Sequence, residues 1–320
     1  MLVTGGAGFI GSHLVRGLLD AGAEVRILDD LSTGKRENLA GAEAAELLLG
    51  DIRDLATCER ACKGVSVIFH EAAICSVPRS MDDPATTVAI NVGGTANIFA
   101  AARKLSISRV VYASSSSVFG DCSALPQSEG EEGTPQSIYA LTKHMDEELA
   151  DSYARAFGLS LVGLRYFNVF GPRQDPNGPY AAVVPRFFEA YRAGGAPTIF
   201  GDGNQTRDFI DVRDVVRANL LAAVAPIEGA LALNVASGRP TSVAELAAAI
   251  ARICGYPGRL PLHGPLRTGD ILHSIADTAQ AEKHLGFRAE RGLEEGLAHI
   301  EFHLQHAARG EGPRSEAHGG

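Results

Sequence analysis

The sequence predicts an α/β protein built on a doubly wound parallel sheet, with a smaller mixed α/β domain appended. Three observations carry that expectation. Short apolar runs alternate with helix-length amphipathic segments through the first half of the chain. The first run, Leu2-Val3-Thr4, leads into glycines at positions 5, 8 and 11 and then a helical pattern with Leu14, Leu18 and Leu19. The next run, Glu24 to Leu28, ends in Asp29, 18 residues past Gly11, where an acid that holds an adenosine ribose is expected at about 20 residues. Together these make the sheet Rossmann-type.

Each glycine has a separate task. Gly5 permits the tight turn, Gly8 lets the backbone approach a pyrophosphate, and Gly11 lets helix and strand pack closely. The free N–H groups of the helix that follows, with its dipole, favour a phosphate.

The other elements follow in order. Glu46–Leu49 reads as a strand ending at Gly50-Asp51-Ile52-Arg53, with a helix to Cys62. Val65–His70 is a strand followed by Glu71-Ala72-Ala73, and Pro84–Ala102 is helical and carries Asn91. Arg109–Ala113 is a strand that stops in Ser114–Ser117; a polar loop leads to Pro135, then a helix from Ser137 to Phe157 and a strand from Leu159 to Tyr166. Alternation of this kind implies right-handed crossovers and helices on both sheet faces. From Gly171 to Gly178 the chain is dense in turn formers and is expected to leave the sheet. Phe209–Val212, with a helix to Ala225, and Leu231–Val235 read as two returns to it. Ser242 is placed to cap a helix over Val243–Cys254.

The expected domains are residues 1–170, with returns near 205–237, for the dinucleotide, and 171–204 with 238–306 for a substrate. The tail 307–320, almost without apolar residues, is expected to be disordered.

Composition sets outer bounds. The 320 residues are 45% hydrophobic and 21% charged, with a formal charge of −9. That balance excludes a broad nucleic-acid-binding surface but admits a nucleotide in a local basic pocket. No apolar run reaches the ~18 residues of a membrane span, and no signal peptide precedes the first strand, so the expectation is a cytoplasmic protein with no membrane partner. The five cysteines are scattered and lack metal-ligand spacing, which points to free thiols and no metal.

Candidate chemistry sits on two later elements. Tyr139 and Lys143 are four apart on a predicted helix and share a face. A phenol with its usual pKa of about 10 is a poor base near neutrality; a neighbouring ammonium, with the positive ring of an oxidised nicotinamide, would lower it. Ser115 stands at a strand end, where open α/β sheets bind ligands, placed to donate to a developing alkoxide or relay its proton.

At this point the chain resembles the extended short-chain dehydrogenase/reductases, specifically their sugar-nucleotide epimerase branch. The matching stretches are Thr4–His13, Leu28–Leu31, Gly50–Arg53, Asn91–Asn97, Ser114–Gly120, Pro135–Lys143, Leu164–Gly171, Gly201–Asp211 and Arg267–Asp270. The resemblance implies tightly bound NAD, held by Gly5, Gly8, Phe9, Ile10, Gly11, Asp29, Asp30, Ser32, Thr33, Gly34, Asp51, Ile52, Ala72, Ala73, Asn91, Ser114, Tyr139, Lys143 and Phe167. Asp29 would repel a 2′-phosphate and so favours NAD over NADP, although Lys35 and Arg36 lie close by in sequence. Ser115, Tyr139 and Lys143 would be catalytic.

It further implies a UDP-sugar site of Ser76, Ser115, Ser116, Tyr139, Asn168, Ala182, Val183, Phe200, Arg207, Arg267, Asp270 and Ser274. Arg207 and Arg267 suit a diphosphate in fork geometry. Dehydratases of this branch carry an Asp–Glu pair just after the catalytic Ser or Thr, and decarboxylases keep a Glu; here Ser116 and Ser117 stand there. What is left is oxidation at C4, rotation of the keto sugar and return of the hydride, a 4-epimerisation. In the UDP-galactose 4-epimerases, the residue four after the Asp of Arg-x-x-Asp lines the C2 end of the sugar, and a bulky Tyr there excludes N-acetyl groups. Ser274 occupies that position, which implies UDP-GlcNAc/UDP-GalNAc and also UDP-Glc/UDP-Gal. The alternatives are a strict UDP-glucose 4-epimerase, a UDP-glucuronate 4-epimerase and, outside enzymes, an NAD(H)-sensing regulator. A homodimer through the helices containing Asn91–Ala102 and Tyr139–Ala156 is also implied.

Overall fold

The computed structural model describes residues 1–176, 182–266 and 272–308. Its strands are β1 (Leu2–Thr4), β2 (Arg26–Asp29), β3 (Glu46–Leu49), β4 (Val67–His70), β5 (Arg109–Ser115), β6 (Ser160–Tyr166), β7 (Asn168–Phe170), β8 (Thr198–Phe200), β9 (Thr206–Asp211), β10 (Ala230–Val235), β11 (Pro240–Ser242) and β12 (Leu262–Gly264). The helices are α1 (Phe9–Asp20), α2 (Leu55–Cys62), α3 (Val77–Asp82), α4 (Pro84–Val88), α5 (Gly94–Lys104), α6 (Ile138–Phe157), α7 (Val183–Arg192), α8 (Val212–Val224), α9 (Val243–Ile253), α10 (Ala279–Leu285) and α11 (Leu293–Ala308). A π-helical turn, Ala89–Gly93, joins α4 to α5.

Among the described residues, seven parallel strands form the main sheet in the order β10-β6-β5-β4-β1-β2-β3. The order reverses between β1 and β4, so the loops leaving these two strands diverge and open a crevice at their carboxyl ends. Helices cover both faces. On one, Leu14, Val15 and Leu18 of α1 meet Val215, Ala218 and Ala222 of α8 over Val3, Phe69 and Val111. On the other, Cys58, Ala61 and Cys62 of α2 pack with Ile98 and Phe99 of α5 and Ala150 of α6. Each large apolar side chain so buried contributes about 1.5–3 kcal/mol. Burial pushes the Cys58 and Cys62 thiols up to about 12, and all five cysteines are free.

The second lobe has its own core. Phe187, Phe188 and Tyr191 of α7 pack with Leu246 and Ile250 of α9 and Leu297 of α11. Ser242 caps α9 through a full capping box with Glu245, as its position predicts. One expectation is corrected. The segment Phe209–Val212 does not return to the main sheet. Phe209–Asp211 belong to β9, which lies between β7 and β11 in a separate three-stranded sheet, and Val212 opens α8, while β10 alone of the two makes the return. The apolar pattern identified a strand but does not encode its sheet. β9 straddles both cores, with Ile210 in the main one and Phe209 in that of the lobe.

Candidate active site

The cofactor end is made by backbone. Gly5 has φ +68°, donates to Leu28 O at 2.8 Å, and a Cβ on it would lie 2.8 Å from the Ala72 backbone. A Cβ on Gly11 would come within 2.2 Å of Gly5 O. The close stacking of β1, the turn and α1 therefore excludes any side chain. Gly8 precedes Phe9 and Ile10 as the N-cap of α1 and offers no side-chain cap, so the first-turn N–H groups keep their capacity for an anion. Asp29, 7% exposed, accepts from Ala7 N at 2.9 Å and from Leu31 N at 2.8 Å. Two bonds leave a carboxylate with lone pairs for a ribose diol. Gly34 packs so tightly on Asp29 that a Cβ would lie 2.9 Å from its Oδ1. Around it run Asp30, which accepts from Ser32 N at 2.9 Å, and the exposed Thr33. Lys35 is held away in an ion pair with Asp175 at 2.7 Å. This collar of glycines, uncapped N–H groups and a buried acid fits a dinucleotide.

Farther along the crevice, Ile52 packs against Gly94, whose Cβ would lie 2.3 Å from Ile52 Cδ1. The Asp51 carboxylate turns to Arg53, which holds it below the usual range. Ala72 N donates to Thr4 Oγ1 at 3.2 Å, which sets the Ala72–Ala73 backbone beside the glycine loop. His70 is a scaffold residue: Nδ1 meets Thr4 Oγ1 at 2.7 Å and Nε2 meets Thr95 Oγ1 at 3.0 Å. Burial pushes it down to about 3, so it is neutral. Asn91, on the π turn, is fully buried and bonds Ile74 N (2.8 Å), Ile74 O (3.0 Å) and Thr142 Oγ1 (3.0 Å). Its side chain fixes the loop after β4 to α6 rather than reaching into the crevice.

The residues expected to be reactive meet where β5 ends against α6. Ser115 closes β5; its Oγ accepts from Ser117 N at 3.1 Å and acts to hold the Tyr139 phenol down. Ser116 follows, partly exposed. Ser137 caps α6, accepting from Ala140 N. Lys143 is 4% exposed and donates to Ala113 O at 2.8 Å and Asp146 Oδ2 at 3.3 Å. Burial lowers the lysine, but Asp146 and Tyr139 outweigh it and the net shift is upward, so the ammonium persists. Tyr139 is pushed up by burial, with Lys143 and Ser115 pulling it down. The expected lowering of the phenol is thus only partly supplied by the protein; desolvation opposes it.

Residues the sequence did not single out hold this geometry. Ser80, fully buried, accepts from Tyr139 N at 3.0 Å and donates to Val77 O at 2.6 Å, pinning α3 to the first turn of α6. Arg165 on β6 binds Glu147 through Nε (2.9 Å) and Nη2 (2.7 Å), pairs with Glu132, and lies 5.3 Å over Phe119. Ser114, which the sequence does place at the cofactor, donates its Oγ proton to Glu147 Oε1 at 2.5 Å and so joins the same network. Only the four-residue step from Lys143 to Glu147, one helical face, hints at this network in the sequence.

The substrate end lies across a small apolar cluster of Val118, Phe119, Phe167, Ala236 and Ala276. It joins the serine loop to both the β6–β7 junction and the segment after residue 272. Asn168 Nδ2 donates to Asp208 O at 3.3 Å. Arg207 on β9 donates to Thr206 O at 2.9 Å, and Phe200 ends β8. Ser76 caps α3, and Ala182 and Val183 form the start of α7. Ser274 is 7% exposed and donates to Gln127 Oε1 at 3.2 Å. Gln127 lies in the loop after Gly120, far from Ser274 in sequence, and nothing local announces the pair. Arg267 and Asp270 lie outside the described residues.

Comparison with known proteins identifies the family and supports the fold. Residues 1–236 match the model of the NAD dependent epimerase/dehydratase family. The chain is 43% identical over 307 residues to a UDP-glucose 4-epimerase of Mycolicibacterium smegmatis, covering 94% of this chain and 97% of that one. Among solved structures it is similar to the UDP-glucose 4-epimerase of Thermotoga maritima with UDP-glucose (TM-score 0.91, 37% identity, 96% and 99% of the two chains). It is also similar to the UDP-N-acetylglucosamine 4-epimerase of Methanobrevibacter ruminantium in complex with UDP-N-acetylmuramic acid (TM-score 0.90, 38% identity, 95% and 97%). With the glycine collar, Asp29 and the Ser115–Tyr139–Lys143 cluster in one crevice, the chain is an enzyme of the NAD dependent epimerase/dehydratase family.

Proposed function

We propose that the enzyme interconverts UDP-hexoses at C4 through a transient 4-keto sugar, acting on UDP-GlcNAc/UDP-GalNAc and on UDP-Glc/UDP-Gal. The observation that carries this is the meeting of Ser115, Tyr139 and Lys143 at the carboxyl end of β5, beside a dinucleotide collar, with Ser116 and Ser117 in place of an eliminating acid. Bound NAD supplies reversible hydride acceptance at C4. Tyr139 takes the C4 hydroxyl proton, Ser115 donates to the developing alkoxide or relays that proton, and the Lys143 ammonium stabilises the phenolate. On the return the same phenol gives the proton back. Arg207, with Arg267, would bind the diphosphate while the sugar turns. The short side chain of Ser274, bound to Gln127, leaves room at the C2 end.

Incubating the NAD-loaded protein with UDP-GlcNAc, UDP-Glc and UDP-GlcA separately, and resolving the C4 epimers, tests the reading. Conversion of the first two and not the third is expected; no conversion of any would refute it. Ser274→Tyr should cut kcat/KM for UDP-GlcNAc at least about 10-fold while sparing UDP-Glc, since a pocket that loses a side chain's volume discriminates by about that much.

The active form is proposed to be a homodimer. Of the two helices expected to pair, α5 turns Ile98 and Phe99 to the core, whereas α6 exposes Leu141 and Met145, as α3 does Met81 and α4 Val88, each 37–58% exposed. Light scattering of wild type and Leu141→Glu checks this, with a fall in mass expected for the variant. No described helix is long and apolar enough to cross a membrane.

A further inference from the structure

Behind the Tyr139–Lys143 pair lies an ionisable group that the chemistry above does not use. Asp146 follows Tyr139 by seven residues and Lys143 by three, so all three fall on one face of α6. It is 1% exposed. Its Oδ2 lies 3.3 Å from Lys143 Nζ, and its Oδ1 has no hydrogen-bond partner. The Thr95 hydroxyl nearby has one proton and gives it to Asn91 O at 2.6 Å. A buried carboxyl with an unpaired oxygen is costly, and Lys143 already has a hydrogen-bond acceptor in Ala113 O.

The charged and titratable groups that share this space come from several elements. Lys143 and Glu147 stand on α6 with Asp146, and Tyr112 on β5 lies within reach of its charge. Tyr139, Glu71 and His70 meet it through Lys143. His70 is neutral, while burial pushes Asp146 up to about 6 and Glu71 up to about 7, with Lys143 acting against both. One ammonium is therefore shared among two carboxyls and a phenol. The Asp146 charge opposes ionisation of Tyr139, and the Lys143 charge favours it.

We propose that Asp146 is a positioning residue for proton transfer at Tyr139: it clamps the Lys143 ammonium against the β5 carbonyl and, by offsetting part of that charge, sets how readily the phenol gives up its proton. This rests on Tyr139 and Lys143 acting as base and charge partner. Asp146→Asn removes the offset and keeps the shape.

The test is the pH profile of kcat, with KM, in Asp146→Asn and Asp146→Ser, alongside ultraviolet titration of the tyrosinate band against matching Tyr139→Phe proteins. The acid limb of kcat and the Tyr139 titration should both move to lower pH, by ~0.5 unit or more, with KM for the UDP-sugar within about 2-fold. A general loss of kcat with neither curve displaced would overturn the proposal, as would failure of both variants to fold, since the residue would then be structural. Full activity in Tyr139→Phe would instead overturn the base assignment itself.

Discussion

The two ends of the crevice are built on opposite physical terms. At the cofactor end the constraints are steric: positions 5, 11 and 34 each have backbone or side-chain atoms within 2.9 Å of where a Cβ would sit, and the buried acid, Asp29, accepts from two backbone N–H groups. At the end that holds Tyr139 and Lys143, proposed to be catalytic, the constraints are electrostatic. Lys143, Asp146, Glu71 and Tyr139 lie together, each shifted by burial, and the Lys143 ammonium pulls the other three down. A steric site fails by losing its fit, together with stability and cofactor. An electrostatic site can lose its chemistry while the fold stands.

The largest effect should come from breaking the steric end. Gly11→Ala sets a methyl 2.2 Å from Gly5 O, between two backbones that cannot move independently. A loss of about 3 kcal/mol or more is expected, seen as a fall of several degrees in Tm together with loss of copurifying NAD. Wild-type Tm and NAD content in this variant would contradict the steric account.

Next comes the electrostatic end. Tyr139→Phe keeps the ring and the backbone bond to Ser80, and should lower kcat by ~10²–10⁴ with Tm and bound NAD unchanged. A matching loss of stability would erase the distinction between the two ends.

The smallest effect sharpens the comparison. Glu71, hydrogen-bonded by Tyr166 Oη at 2.8 Å, is pushed up to about 7 by burial. Between its unfolded value near 4.3 and 7, the folded chain binds more protons at this site than the unfolded one, so the site's contribution to stability declines as pH rises. Relative to wild type, Glu71→Gln should therefore be more stable at pH 8 than at pH 5, by up to a few degrees in Tm. His70 works in the opposite direction. Neutral in the fold and pushed down to about 3, it costs stability as pH falls below about 6.5. Only the paired difference isolates Glu71, and a difference in Tm that does not vary with pH would count against its raised proton affinity.

The steric end was readable from the sequence because its signal is local. Three glycines, the strand before them and Asp29 lie within one supersecondary unit, and each residue type has a single mechanical reason to be there. The Tyr139–Lys143 spacing was readable for the same reason. Asp146 was not: a carboxylate in the middle of a helix usually faces water, and only the tertiary fold buries this one. Ser80 reaches Tyr139 across 59 positions and Ser274 reaches Gln127 across 147, so no pattern along the chain could announce either bond. The reassignment of β9 has a related cause. Alternation tells a strand which sides to bury, and β9 does bury both, one against each core, but partner choice is settled by which strand edge the lobe presents.

The π turn at Ala89–Gly93 adds something about chain length. Such a turn absorbs one extra residue without changing how its flanks face the core, so α4 and α5 keep their registers while Asn91 is swung to Ile74 and Thr142. A single-residue deletion there should relax to ordinary helix and cost the loop its anchor, leaving the buried face of α5 in place. The same deletion inside α5 would rotate everything after it by about 100° and bring Phe99 toward water. The helix thus carries one position where its length is negotiable, and the crevice depends on that position remaining occupied.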